Sequence, residues 1–506
     1  MFLLALLPIL LILFLMVGLQ WGAPRAGAAG YLTAFLVAVF AFQAGPLVLA
    51  YAHARSVLLI LDVLLIIWGA FTFYRVVDEA GGIEIIGEVL PHLTAARGMQ
   101  ALLIGWAFAS FLQGVGGFGV PVAVTAPLLV GLGFSPLSAV VIPSIGHAWA
   151  VTFGSLGSSF NAMMAATGLG WEALASPAAF FLGTACLGAG AAVAHAAGGW
   201  SAVKKYLLPV GVMGLLMAGA QYLAAVQGLW NLGGLMGGSA GLLSGIGLAW
   251  FLGREERPQL PVSSGRLAAA LSGYALLIAL TLLVQLTPGL KEKLDVLVLG
   301  LDFPATRTGL GHLNPGGSGR KLPLLSHAGT ILFLASLLSY GVFSRLGWYK
   351  EGTLKRIGAR LVRRLSASSV GIAAMVMMAV IMQHAGMTDQ LAQGISSAVQ
   401  GFFPALSPWL GALGAFMTGS NTNSNLIFSV LQMTTAEALG VPTALILAAQ
   451  TSGGALGSVV APTKVIVGAS TAGMAGQEGK VMRALLPYMT ILIFYLSLLT
   501  AGMVML

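Results

Sequence analysis

The sequence predicts an all-α integral membrane protein with about 12 to 14 membrane segments, including two internally repeated regions of broken or re-entrant helix. Three observations predict it. The chain is 58% hydrophobic and only 8% charged over 506 residues, whereas a soluble chain carries about 25% charge. Apolar runs of about 20 residues, the length needed to cross a bilayer, recur from end to end. Two further apolar regions, 98–165 and 400–470, are interrupted by Gly, Pro, Ser and Asn. Gly is abundant, at 69 residues, as it is in transmembrane helices, where it lets backbones approach closely.

In chain order, uninterrupted runs at 2–19, 31–52 and 56–73 come first. The first is followed by Arg25-Ala26-Gly27-Ala28, but it lacks a basic leading region and is long enough to span, so it reads as a retained helix rather than a signal peptide. The first interrupted region precedes runs at 178–198, 206–226, 232–252 and 267–287. The stretch 302–322 (DFPATRTGLGHLNPGGSGRKL) is rich in Gly and Pro and reads as a loop. It lies in a central region, 291–322, between two transmembrane halves, 1–290 and 323–506. Runs at 323–344, 366–385 and 481–506 flank the second interrupted region.

The formal net charge is +9. The basic residues lie between apolar runs, which fits retention in cytoplasmic loops rather than nucleic-acid binding. The densest cluster is Arg345, Lys350, Lys355, Arg356, Arg360, Arg363 and Arg364, opposed only by Glu351. It places that segment on the cytoplasmic side of the membrane. The single cysteine, Cys186, has no partner for an internal disulfide, and no cluster suggests a metal or a cofactor.

The two interrupted regions resemble each other. Phe111-Leu112-Gln113-Gly114 recurs in type as Phe416-Met417-Thr418-Gly419, and Leu132-Gly133-Phe134-Ser135-Pro136 as Leu439-Gly440-Val441-Pro442. Leu156-Gly157-Ser158 recurs as Leu456-Gly457-Ser458. Backbone at membrane depth breaks only where protein or a water-filled cavity satisfies it. Paired breaks in two halves therefore point to a transporter's binding site, often within an inverted repeat.

The first break reads Gln113-Gly114-Val115-Gly116-Gly117-Phe118-Gly119-Val120-Pro121. Its glycines free N–H groups to face a ligand, and a helix starting near Pro121 would offer a positive end to an anion. The second break, Thr418 to Asn425, has polar side chains at seven of eight positions (Ser420, Asn421, Thr422, Asn423 and Asn425 among them), with no Lys, Arg, Asp or Glu between Gln390 and Thr435. The partner segments carry Ser144, His147, Thr152, Ser155, Ser158, Ser159 and Asn161 in one half, and Gln450, Thr451, Ser452, Ser458, Thr463 and Lys464 in the other. Lys464 is an ionisable residue in an apolar segment, a candidate for holding a carboxylate. Asp62, inside SVLLILDVLLIIWGAF, is a candidate proton carrier or a structural partner for a buried cation. His147 is a second proton-coupling candidate. The substrate-binding set is Gln113, Gly116, Gly117, Phe118, His147, Ser155, Ser420, Asn421, Thr422, Asn423, Asn425, Thr451, Ser452 and Lys464. Nothing suggests an enzyme: HExxH, Walker A and CxxC patterns are missing, which leaves ion-gradient or facilitated transport.

These motifs resemble the bacterial L-lactate permease family. GGFGVPVAVTAPLLVGLGF (116–134) is similar to that family's most characteristic signature. WGAFTFYRVVDEAGGIEII (68–86), VTFGSLG (151–157), TGSNTNSNLIFSVLQ (418–432) and TSGGALGSVVAPTKVIVGA (451–469) resemble further motifs, in order. The resemblance implies proton-coupled transport of lactate and related 2-hydroxy monocarboxylates such as glycolate. The alternative is another organic anion, coupled to sodium or to nothing. The chain departs from the family's pattern at four places. Gln113 stands where the resemblance implies Glu, and Asn421 where it implies Asp. His147-Ala148-Trp149-Ala150 replaces Asn-Thr-Ala-Pro, and the family's Gly-Lys pair is Gly457-Ser458, with a lysine at 464 instead. A neutral amide cannot carry a proton, so coupling through 113 and 421 is closed.

Overall fold

Helices that cross lipid must bond their own backbones, and long apolar helices form most of the chain. The computed structural model describes residues 1–19, 21–117, 119–252, 261–287, 289–475 and 477–505. Among the described residues, ten helices are long and apolar enough to span a membrane, and a bent pair adds an eleventh. Three shorter apolar helices complete the set.

Helix α1 (Phe2–Leu13) runs into a π-turn (Phe14–Gly18) and packs on α2 (Ala23–Phe40). Then comes a departure from the sequence reading. The expected span at 31–52 is cut between residues 41 and 45, where Gln43 takes φ 52°. The next helix starts at Pro46, a ring whose fixed φ suits a first helical turn, and runs unbroken to Glu79 as α3, 34 residues long. Hydropathy could not show this cut, because both sides are equally apolar.

A short helix α4 (Gly82–Val89) leads to the first interrupted region. Here α5 (Arg97–Gln100), a π-helical stretch (Ala101–Phe108) and α6 (Ala109–Val115) form one rod enclosed by protein. It turns back at Gly116–Gly119 into α7 (Val120–Gly131). That helix has 12 residues, about 18 Å at 1.5 Å per residue, too short to cross. A turn leads to α8 (Pro136–Ala148), a non-helical crossover at 149–157, and α9 (Ser158–Thr167).

Around this core pack α10 (Trp171–Lys205, interrupted at Gly198–Gly199), α11 (Leu207–Val226) and α12 (Gly233–Leu252). Then come α13 (Ser264–Leu286) and the short α14 (Leu290–Leu294).

The stretch read as a loop is a β-hairpin arm. Strands β1 (Val298–Leu299), β2 (Asp302–Phe303) and β3 (Thr306–Arg307) pair antiparallel with β6 (Leu322–Pro323), β5 (Gly317–Ser318) and β4 (Leu313–Asn314) respectively. Its six strands are too short for an alternation signal, so composition alone suggested a loop. The arm packs along the first half of α3, where Phe303 and Leu322 meet Leu58. Near the tip, Gly309 N–H donates to the Gln43 carbonyl at 2.9 Å.

Helix α15 (Ala328–Arg345) follows, then α16 (Thr353–His384). The basic cluster is therefore only partly loop. Arg356 and Arg360, on the first turns of α16, pair with Glu79 at the far end of α3. From Arg55 to Glu79 is 24 residues of helix, about 36 Å, more than the roughly 30 Å hydrocarbon core. The hairpin and the basic cluster thus lie at opposite ends of α3.

The second interrupted region repeats the first. After α17 (Met387–Val399), α18 (Phe403–Thr418) breaks at Gly419–Ser420 into α19 (Asn421–Leu439). Next come α20 (Thr443–Gly457), a 3-10 turn (Ser458–Val460) and α21 (Pro462–Thr471). Helix α22 (Glu478–Met505) closes the chain's described part. In both regions the backbones cross without space for a side chain. A Cβ at Gly146 would lie 2.0 Å from the Gly105 carbonyl oxygen, and one at Gly453 1.9 Å from that of Pro408. Such contacts let helices associate without a hydrophobic drive between them.

Candidate functional site

Each break is held open by its own half. In the first, the crossover at 149–157 folds back so that Ser155 N–H donates to the Gln113 carbonyl at 2.8 Å and Leu156 N–H to that of Gly114 at 2.9 Å. Gly117 has φ 54° and lies so close to this crossover that a Cβ would sit 1.8 Å from Ser155 Oγ. The second half repeats the arrangement. Gly419 has φ 71°, and a Cβ there would sit 2.2 Å from Thr463 Oγ1. Both positions require glycine twice over, for conformation and for space.

The two breaks meet. Thr152 Oγ1 donates to the Thr451 carbonyl at 3.1 Å, and Asn421 Nδ2 donates to Thr152 Oγ1 at 3.1 Å. Ser159 Oγ and Thr422 Oγ1 are 3.0 Å apart. Asn425 Nδ2 donates to the Ser159 carbonyl and to Thr451 Oγ1, both at 2.9 Å. Polar groups in an apolar surround have few other partners, so these bonds, all but Asn425 to Thr451 between residues some 260 to 300 positions apart, form one buried seam.

Beside the seam is a polar cavity of about 20 Å3, room for about one water. Gln113, Ser155, Ser420, Asn421, Thr422 and Lys464, all expected from the sequence, line it. So do Val151, Ser158, Ser159 and Gly419. The serines belong to the polar set already noted along the crossover; Val151 and Gly419 carry no chemical signal that sequence could have used.

Three helix N-termini converge here: Ser158 and Ser159 begin α9, Asn421 and Thr422 begin α19 behind the Ser420 cap, and Lys464 lies in the first turn of α21. Ser420 Oγ accepts from Asn423 N–H at 3.3 Å. Helix N-termini carry partial positive charge and unpaired N–H groups. Lys464 adds a full charge. Its Nζ donates to Ser458 Oγ at 2.9 Å, and it forms no ion pair among the described residues. Among the described residues, no carboxylate lines the cavity. Among the described residues, Gln113 Oε1 and Asn421 Oδ1 are buried without a partner, unusual for native polar atoms; Asn421 Oδ1 lies against Gly454, 2.1 Å from where a Cβ would be.

Other expected residues lie elsewhere. Gly116 faces the Tyr74 ring, 3.0 Å from where its Cβ would be, and Phe118 lies outside the described residues. Asn425 and Thr451 belong to the seam. Asn423 and Ser452 are buried near it, each with a side-chain oxygen that has no protein partner. His147 is buried in the last turn of α8. Its Nδ1 donates to the Pro143 carbonyl at 2.6 Å, Nε2 has no protein partner, and the ring does not line the cavity.

Asp62 sits in a separate network. Arg320 Nε, from the hairpin, donates to its Oδ2 at 2.6 Å, and His327 Nε2 lies 2.8 Å from its Oδ1. Asn161 Nδ2 reaches Oδ1 at 3.4 Å, which links the network to α9. Sequence reasoning did not identify Arg320 or His327, because one lay in an apparent loop and the other had no pattern around it.

The sequence profile of the family described as L-lactate permease matches residues 1–506. Glycolate permease GlcA of Escherichia coli is 29% identical over 95% of this chain and 91% of that protein. L-lactate permease of Bacillus subtilis is 28% identical over 98% and 94%. The YdaH transporter of Alcanivorax borkumensis, a crystal structure, aligns with a TM-score of 0.46 at 14% identity, covering 88% of this chain and 84% of that one.

Proposed function

This chain belongs to the L-lactate permease family, and from that premise we propose that it carries lactate, glycolate or a similar small 2-hydroxy monocarboxylate by proton symport. That it is a multi-pass membrane transporter follows from the family and from ten apolar helices long enough to span. The observation that carries the substrate reading is the convergence of three helix N-termini and Lys464 on a cavity without a carboxylate. The carboxylate faces the ammonium and the helix ends; the 2-hydroxyl faces the amides of Gln113 and Asn421 and the nearby hydroxyls. A cavity of about 20 Å3 does not admit such a molecule, so binding requires the two halves to separate along the seam. Separation exposes polar groups that a polar ligand then pairs, and the empty site is thereby held shut.

Coupling needs another route than 113 and 421, both neutral amides. Asp62, bonded to Asn161 on the helix that begins at Ser158, is the nearest candidate along the chain of contacts. The basic cluster on the cytoplasmic side puts the hairpin on the outer side. Uptake of labelled L-lactate and glycolate into proteoliposomes, with and without an inward proton gradient, tests both statements. We expect saturable uptake of both acids that grows with the gradient. No uptake of any small 2-hydroxy acid would refute the substrate. Uptake indifferent to the gradient would refute symport and leave sodium or facilitated transport, which the same vesicles resolve by exchanging sodium for potassium.

A further inference from the structure

A second cavity lies at the hairpin end of α3, between the arm, the end of α9 and the end of α16. It encloses about 450 Å3. Its charged lining is wholly cationic: Arg55, Arg320 and Lys321. Asp62 lies behind Arg320 and balances that one charge; Arg55 and Lys321 form no ion pair among the described residues. The Arg55 guanidinium is fixed over the Phe303 ring, 4.8 Å from its centroid, a cation–π contact, and its Nη2 makes a long bond, 3.4 Å, to the Pro315 carbonyl. Its Nε is buried and has no partner in the protein.

A second, independent feature lines the same space. His384 is only 5% exposed. Its Nδ1 lies 2.9 Å from the Val380 carbonyl, which can only accept, so Nδ1 carries a proton. The other ring nitrogen, Nε2, is buried without a protein partner. In the neutral ring it is an acceptor suited to a hydroxyl. Cations on one wall and a lone acceptor on the other match a molecule that bears both a carboxylate and a hydroxyl.

We propose that this cavity is a second binding site for small hydroxy-carboxylate anions, an antechamber to the site between the breaks. Helix α9 joins the two: Ser159 lines the inner cavity and Thr167 the outer one. Eight residues separate them, about 12 Å. A cleft lined by one sign of charge with low-dielectric walls raises the local concentration of the opposite ion. The ligand class rests on the transport reading above; the charge preference does not, and it is measured without transport.

The test uses the full-length chain with Ser318→Cys, which places a thiol on the cavity wall; Cys186 is fully buried and stays silent. Labelling rates of an anionic (sulfonatoethyl) and a cationic (trimethylammonioethyl) methanethiosulfonate are compared, each normalised to its rate with free cysteine. The anionic reagent should react about tenfold faster, and Arg55→Gln with Lys321→Gln should bring the ratio close to one. Glycolate or L-lactate should slow anionic labelling more than chloride at equal ionic strength, also when Lys464→Ala has removed the inner cation. Thr167→Cys repeats the reading from the α9 wall should the hairpin variant fold poorly. Equal normalised rates for the two reagents would overturn the anion site. Protection no greater than chloride gives would overturn its preference for hydroxy acids. Anion preference and protection without any uptake into vesicles would instead count against the transport substrate and leave the antechamber standing.

Discussion

The break at 116–119, between α6 and α7, and the break at 418–425, between α18 and α19, each interrupt an apolar region, yet they are built from different material. The first is made of glycines and offers mainly backbone. The second is made of Ser, Asn and Thr and offers side chains, three of which, Asn421, Thr422 and Asn425, are tied across the seam to Thr152 and Ser159. What is alike is the lock behind each: Gly117 against Ser155, Gly419 against Thr463. The lesson is that the repeat conserves the geometry of opening a helix, while the chemistry shown to the cavity differs on its two sides. One side is shaped for close approach and the other for hydrogen-bond selection, with Lys464 supplying charge from the second half alone.

Substitutions at five positions probe this contrast. Gly117→Leu should have the largest effect. A side chain cannot share space with Ser155 Oγ, and φ 54° resists any branched or bulky residue. Uptake should fall at least 100-fold while the protein still inserts, as read by vesicle uptake beside membrane-fraction immunoblotting; Gly419→Leu should match it if the locks are equivalent. Lys464→Ala comes next. It should weaken glycolate or lactate binding about 100-fold, roughly 3 kcal/mol, in equilibrium binding to purified protein, with Lys464→Arg recovering part of it. Loss confined to Gly117 would mean that the second half does not supply the charge.

Asn421→Asp should make binding depend on pH. An ionised carboxylate in the cavity repels the substrate's own, so affinity should rise about tenfold from pH 8 to pH 5, beyond any wild-type change. A flat profile would show that position 421 does not face the ligand. Ser159→Ala should be mildest. It removes one bond across the seam, to Thr422, and should lower thermal stability by about 1 kcal/mol. Uptake should change no more than a few-fold, because the Asn425 contact to the Ser159 carbonyl survives.

Much of this was legible in the sequence. The apolar excess established lipid as solvent, and the repeated interruptions marked where helices break, because glycine and polar runs inside apolar segments have few other physical meanings. Six of the expected residues do share one cavity. The cut at 41–45, the hairpin at 298–323 and the partners of Asp62 were not legible, since none depends on local composition.

Sequence by itself determined the class of solvent, the order of helix and break, and the supply of hydroxyls, amides and a lysine, Lys464, within an apolar segment. These follow from hydropathy and from the cost of unbonded backbone in lipid, which act locally along the chain. Only the tertiary structure decided which of those groups face one another. It brought Thr152 to Thr451 and Ser159 to Thr422, left the His147 ring out of the cavity's lining, gave Asp62 to Arg320 and His327, and set the Lys464 ammonium against Ser458. The physical reason is that backbone crossings fix these pairings. Where Gly146 meets Gly105, and where Gly453, Gly411 and Gly457 meet Pro408, Gln450 and Ala412, backbones lie directly against each other, and the neighbours of the side chains follow from these crossings.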